Sequence, residues 1–173
     1  MVIYLDYYME NKEDGITNIA VREDSLTHFY RRTSVEKILQ FMGGRELIVV
    51  FEKPYGRLKD ALQGYDHYLE DYNVRKRWVD LFVEVRNSSG YAVTLGKIAK
   101  STLGEDEFQG ITRLEPEIEG QHRNDVGDQM RERLSALQRV FEYAIRFHQV
   151  SFERGDQTLW AELNINENII DED

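Results

Sequence analysis

The chain has 173 residues, enough for one domain that buries roughly 70% of its unfolded surface, and 41% hydrophobic with 12% aromatic content can fill a core. The absence of cysteine excludes a disulfide framework, a thiolate nucleophile and cysteine-ligated zinc or iron–sulfur centres. With 32 acidic against 22 basic residues and a net charge of −10, it lacks the overall basic character on which nucleic-acid binding draws.

The first predicted elements are three strands. Residues 2–5 form a short apolar run, and residues 16–21 and 26–30 follow, separated by the turn-like Arg22-Glu23-Asp24-Ser25. An antiparallel meander is the simplest assembly. Thr33 offers a helix N-cap with Glu36 three residues on, and Val35, Ile38, Leu39 and Met42 share one face before Gly43-Gly44. Residues 47–51 are expected to form a buried strand. Leu58, Ala61, Leu62, Tyr65 and Leu69 repeat at helical spacing across Gly64, and Trp78, Leu81, Phe82 and Val85 predict another helical face.

Thr94 caps a short helix carrying Leu95, Ile98 and Ala99, closed by Gly104. Residues 105–128 have the composition of an extended surface loop. Met130, Leu134, Leu137, Phe141, Ala144, Ile145 and His148 then form the apolar stripe of the strongest predicted helix. Residues 150–153 and 158–165 bracket Arg154-Gly155-Asp156, a hairpin signature. The organisation expected is one α/β domain over residues 1–165 and an acidic tail over 166–173. The opening stretch MVIYLDYYMENKED lacks a leader pattern, and no run approaches the ~20 apolar residues of a membrane span. A cytoplasmic protein without a membrane partner is expected.

Several phrases carry a resemblance. Residues 47–58 (LIVVFEKPYGRL) are similar to the second motif of the DEDD 3′–5′ exonucleases, and residues 78–86 (WVDLFVEVR) with 91–104 (YAVTLGKIAKSTLG) resemble exonuclease-type domains found alone or attached to helicases. Val140-Phe141-Glu142-Tyr143-Ala144 and the closing hairpin resemble the end of that domain. The resemblance implies a ribonuclease-H-like mixed sheet, a three-strand antiparallel meander extended by parallel strands and flanked by helices. It also implies four carboxylates holding two divalent metals about 4 Å apart. On those motifs Asp6 matches the first acid, but the glutamate position holds Tyr8, the second-motif aspartate falls on Gly56 and its asparagine on Glu52. The third-motif position falls on Arg133, or on Glu132 if the alignment slips by one.

Two functions follow as expectations. The first is a catalytically degenerate exonuclease-fold protein, a binding or assembly module that needs no cofactor. Its net charge favours a protein partner or self-association, with nucleic acid admitted through a local basic groove. The second is a divergent metal-dependent 3′–5′ exonuclease on DNA or RNA. In it Asp6 and Glu52 are catalytic and share one Mg²⁺ or Mn²⁺ with Glu132, Glu10 or Asp128. Histidines 28, 67, 122 and 148 show no metal-binding spacing; His148 is expected at the core edge, and His122 with Asp128 only loosely fits a histidine-type third motif. Tyr7 and Tyr8 are expected on a sheet face rather than as base-stacking platforms.

Overall fold

The computed structural model describes residues 2–8, 18–31, 34–44, 47–104 and 123–165. Five strands form a mixed sheet in the order β3-β2-β1-β4-β5: β1 Val2–Tyr8, β2 Asn18–Glu23, β3 Leu26–Arg31, β4 Leu47–Val50 and β5 Trp78–Asp80. The meander β1-β2-β3 is antiparallel, and β4 and β5 extend it parallel to β1. Helices flank the sheet: α1 Val35–Met42, α2 Tyr55–Ala61, α3 Asp66–Asp71, α4 Leu81–Ser89, α5 Leu95–Leu103 and α6 Arg123–Phe147. A hairpin of β6 Gln149–Arg154 and β7 Gln157–Glu162 forms a second small sheet. Among the described residues no helix is long and apolar enough to cross a membrane.

Strand β4 and the first four residues of β1 are continuous apolar runs because both faces of the sheet are covered there. Side chains alternate between the faces. Tyr4, Ala20 and Val49 pack with α4, α5 and α6, whereas Ile3, Leu5, Ile48 and Val50 pack with α1, α2 and α3. The stripe on α6 is buried as its spacing requires: Met130, Leu134, Leu137, Phe141 and Ala144 all face the first of these cores. Fully burying one such Leu or Phe is worth about 1.5–3 kcal/mol.

Five expectations need correction. The helical spacing from Leu58 to Leu69 is two short helices, α2 and α3, because Gly64 sits between them at φ 87° and breaks the ladder. Trp78 belongs to a strand, and the helix begins only at Leu81, after the N-cap Asp80. Residues 123–128, expected in a loop, belong to α6, which starts at Arg123, while residues 105–122 lie outside the described residues. His148 is not at the core edge: it is exposed beyond the end of α6, at φ 55°. The α1 cap is Ser34, whose Oγ accepts the Lys37 N–H at 3.3 Å, while Thr33 lies outside the described residues, as do residues 166–173. Thr94 and Gly104 bound α5 as their residue types predict.

Candidate functional site

Parallel pairing brings the carboxyl ends of β1, β4 and β5 to one edge of the sheet. Asp6 lies on β1, Glu52 just after β4 and Asp80 at the end of β5. Asp6 and Glu52 thus stand toward the carboxyl ends of neighbouring strands, β1 and β4, as their sequence positions lead one to expect. Alternation puts Asp6 on the face of Tyr4, which is the face covered by α6. From α6 the partner is Arg133, placed between Met130 and Leu137 on the buried stripe and therefore turned toward the sheet.

Arg133 Nε lies 3.4 Å from Asp6 Oδ2, and Arg133 Nη2 donates to the Phe51 carbonyl at 3.3 Å. Lys53 Nζ approaches the other oxygen, Asp6 Oδ1, at 3.7 Å, and the same Oδ1 accepts the Tyr7 N–H at 3.1 Å. One buried carboxylate is therefore flanked by a guanidinium and an ammonium. Aromatic rings support both cations: Arg133 lies 5.7 Å from the Phe51 ring centroid and Lys53 lies 5.2 Å from that of Tyr7. Burial lowers the Lys53 pKa; Asp6 opposes that shift, and the neighbouring Arg133 adds to it. Burial also keeps the Tyr7 phenol protonated far into the alkaline range, and its hydroxyl has no hydrogen-bond partner among the described residues.

Asp80 is the residue that motif reading missed. Its Oδ1 accepts the Glu52 N–H at 2.9 Å and the Phe82 N–H at 3.1 Å, so one carboxylate caps α4 and fixes the turn that follows β4. That hold accompanies the left-handed conformation of Glu52, at φ 58°. Burial raises the Asp80 pKa, partly offset by the backbone N–H groups it accepts, and Oδ2 has no hydrogen-bond partner among the described residues. The available signal was an aspartate immediately before a helix, which is an N-cap pattern.

The remaining candidates do not join this cluster. Glu132 is exposed on α6, next to the buried Arg133, and Asp128 is exposed and paired with Arg131 at 3.0 Å. Their carboxylates point to solvent because the buried face of α6 is the one carrying Arg133. Gly56 lies exposed in the first turn of α2, where an added Cβ meets nothing within 4 Å. Tyr8 pairs with Asn18 in the sheet. Glu10 and His122 fall outside the described residues. Among the described residues no group of three or more His, Cys, Asp or Glu is placed to hold a metal ion.

The cluster can do two things chemically. It ties α6 to the ends of β1 and β4, and it neutralises the carboxylate that a cation would otherwise meet. No family model, curated protein or solved structure matches the chain.

Proposed function

We propose that the chain is a catalytically degenerate exonuclease-fold protein that works as a binding or assembly module. The observation that carries this reading is the pairing of Asp6 with both Lys53 and Arg133. A divalent ion bound at Asp6 has to approach or displace those two cations. Unit charges of like sign 4 Å apart cost about 4 kcal/mol at an effective dielectric of 20, and a doubly charged ion roughly doubles the penalty. The ribonuclease-H-like reading draws support from the meander extended by two parallel strands and from the long late helix that brings Arg133 beside Asp6. The net charge of −10 favours a protein partner, a second copy included, over nucleic acid.

A second reading, a metal-dependent 3′–5′ exonuclease with a rebuilt acidic site, draws on one observation. Asp6, Glu52 and Asp80 stand at the ends of three adjacent parallel strands. Mg²⁺ or Mn²⁺ is the ion that such oxygen ligands take.

The test is a nuclease assay on end-labelled single- and double-stranded DNA and RNA with Mg²⁺ or Mn²⁺, run beside Asp6→Ala and Glu52→Ala. No digestion above the level of the variants is expected. Digestion that both substitutions abolish would overturn the degenerate reading and establish the second.

A further inference from the structure

We propose that the cavity between the loop preceding α5, the first turn of α5 and the end of β6 binds an extended peptide segment carrying a carboxylate side chain. The proposal rests on the binding-module reading for the kind of partner, and on a site remote in sequence from the Asp6 cluster.

The cavity has a volume of about 260 Å³, with Val93 and Phe152 among its apolar lining residues and Lys97, Arg154 and Glu153 among its charged ones. Two cations against one carboxylate leave one net positive charge, on a protein whose overall charge is −10. The site is thus a local exception to the charge of the whole chain, and it selects an anionic group. Arg154 is held in place: its guanidinium lies 3.9 Å from the Tyr91 ring centroid, and Tyr91 in turn meets Phe152 edge-on. A guanidinium already ordered on an aromatic face loses little freedom when it takes a carboxylate.

The backbone of β6 offers hydrogen-bonding groups beside these cations. Thr102 Oγ1 accepts the Ser151 N–H at 3.0 Å and donates to the Ser151 carbonyl at 3.1 Å, so Ser151 turns both backbone groups away from β7. In an antiparallel ladder this orientation repeats every second residue, so Glu153 turns its N–H and C=O to the same side. Among the described residues no cap like Thr102 reaches Glu153, and the cavity opens there. A peptide in extended conformation satisfies those two groups, sets an acidic side chain against Arg154 and Lys97, and lays an apolar neighbour on Val93. A small anion uses the cations alone and leaves the backbone groups and the apolar lining without a role.

The experiment is selection of a phage-displayed library of random heptapeptides on the intact chain, followed by fluorescence anisotropy with the enriched peptide. Enrichment of sequences with Asp or Glu beside an apolar residue is expected. Binding is expected to weaken about tenfold in Arg154→Ala and in Lys97→Ala, both exposed positions whose loss leaves the core untouched. Replacement of the peptide's acid by its amide is expected to weaken binding to a similar degree. No enrichment, or enrichment that the Arg154→Ala, Lys97→Ala double variant retains in full, overturns the proposal. Amide shifts at Lys97 and Arg154 with inorganic phosphate but with no peptide overturn it as well, and leave a small-anion site. Nuclease activity dependent on Asp6 sinks the reading of the acidic cluster and does not touch these outcomes.

Discussion

Asp6 and Arg133 are buried together, 3.4 Å apart, and their coupling is open to measurement through a double-mutant cycle of Asp6→Asn and Arg133→Met. Breaking a buried ion pair from one side costs about 3–5 kcal/mol, because the other charge stays behind unpaired. Here Lys53 remains 3.7 Å from Asp6, so Arg133→Met leaves the carboxylate half-compensated and is expected to cost about 2–3 kcal/mol. Asp6→Asn leaves Lys53 and Arg133 facing one another without their shared counter-charge, and about 3 kcal/mol is expected. The double variant removes both members and is expected to lose about 3 kcal/mol rather than the sum, a coupling of about 2–3 kcal/mol. Urea unfolding followed by circular dichroism reads these values, because domains of this kind are stable by about 5–15 kcal/mol. The coupling should survive 1 M salt, since buried pairs are poorly screened. Single-variant losses that add to within about 0.5 kcal/mol would refute the pairing, and with it the argument that Asp6 is neutralised by protein cations.

Tyr7→Phe removes a buried hydroxyl that has no hydrogen-bond partner among the described residues, so thermal melting is expected to show unchanged or higher stability, by up to about 1 kcal/mol. Burial holds the Asp80 carboxyl above its ordinary pKa, so the folded state binds that proton more tightly than the unfolded chain. The stability this adds is present below the ordinary carboxylate pKa of about 3.9 and is lost as pH rises through the raised one. Asp80→Asn keeps an acceptor for Glu52 and Phe82 but has no such dependence. Its stability relative to the parent should therefore increase with pH across the acid range in urea titrations, and a constant difference would contradict the assignment. Thr102→Val removes both hydrogen bonds to the Ser151 backbone; a loss of about 2 kcal/mol and faster amide exchange at Ser151 are expected. Ser34→Ala removes the α1 cap and should cost about 1 kcal/mol by urea melting.

Much of the fold was legible because burial writes itself into periodicity. The continuous run Leu47–Val50 marks a strand covered on both faces, and the stripe from Met130 to Ala144 marks the face that α6 buries. Spacing misled at Trp78, because a three-residue strand followed directly by a helix kept Trp78 in phase with Leu81, Phe82 and Val85. Residues 123–128 are polar apart from Val126 and Gly127, so their helix owes more to continuity with the buried stripe than to propensity. At the site, Asp6 and Glu52 were legible as strand-end acids, whereas the position of Arg133 beside Asp6 was not. A charged residue on a buried stripe announces itself only once the opposing carboxylate is known, and that pairing spans most of the chain. Asp80 was hidden for a different reason: helical spacing carried the helix back to Trp78, so the aspartate before its true start at Leu81 did not stand at an expected N-terminus.

The separation of Asp6 from its two partners also sets an order of events during synthesis. β1, β2 and β3 leave the ribosome before Lys53, which follows with β4, and Arg133 emerges only with α6. Until then the nascent sheet carries a carboxylate with half its compensation and an uncovered apolar face where Val49 and Phe51 await Leu134 and Phe141. A ribosome stalled before α6 should therefore present a protease-sensitive, chaperone-binding intermediate, and completion of the last long helix is the step that seals it.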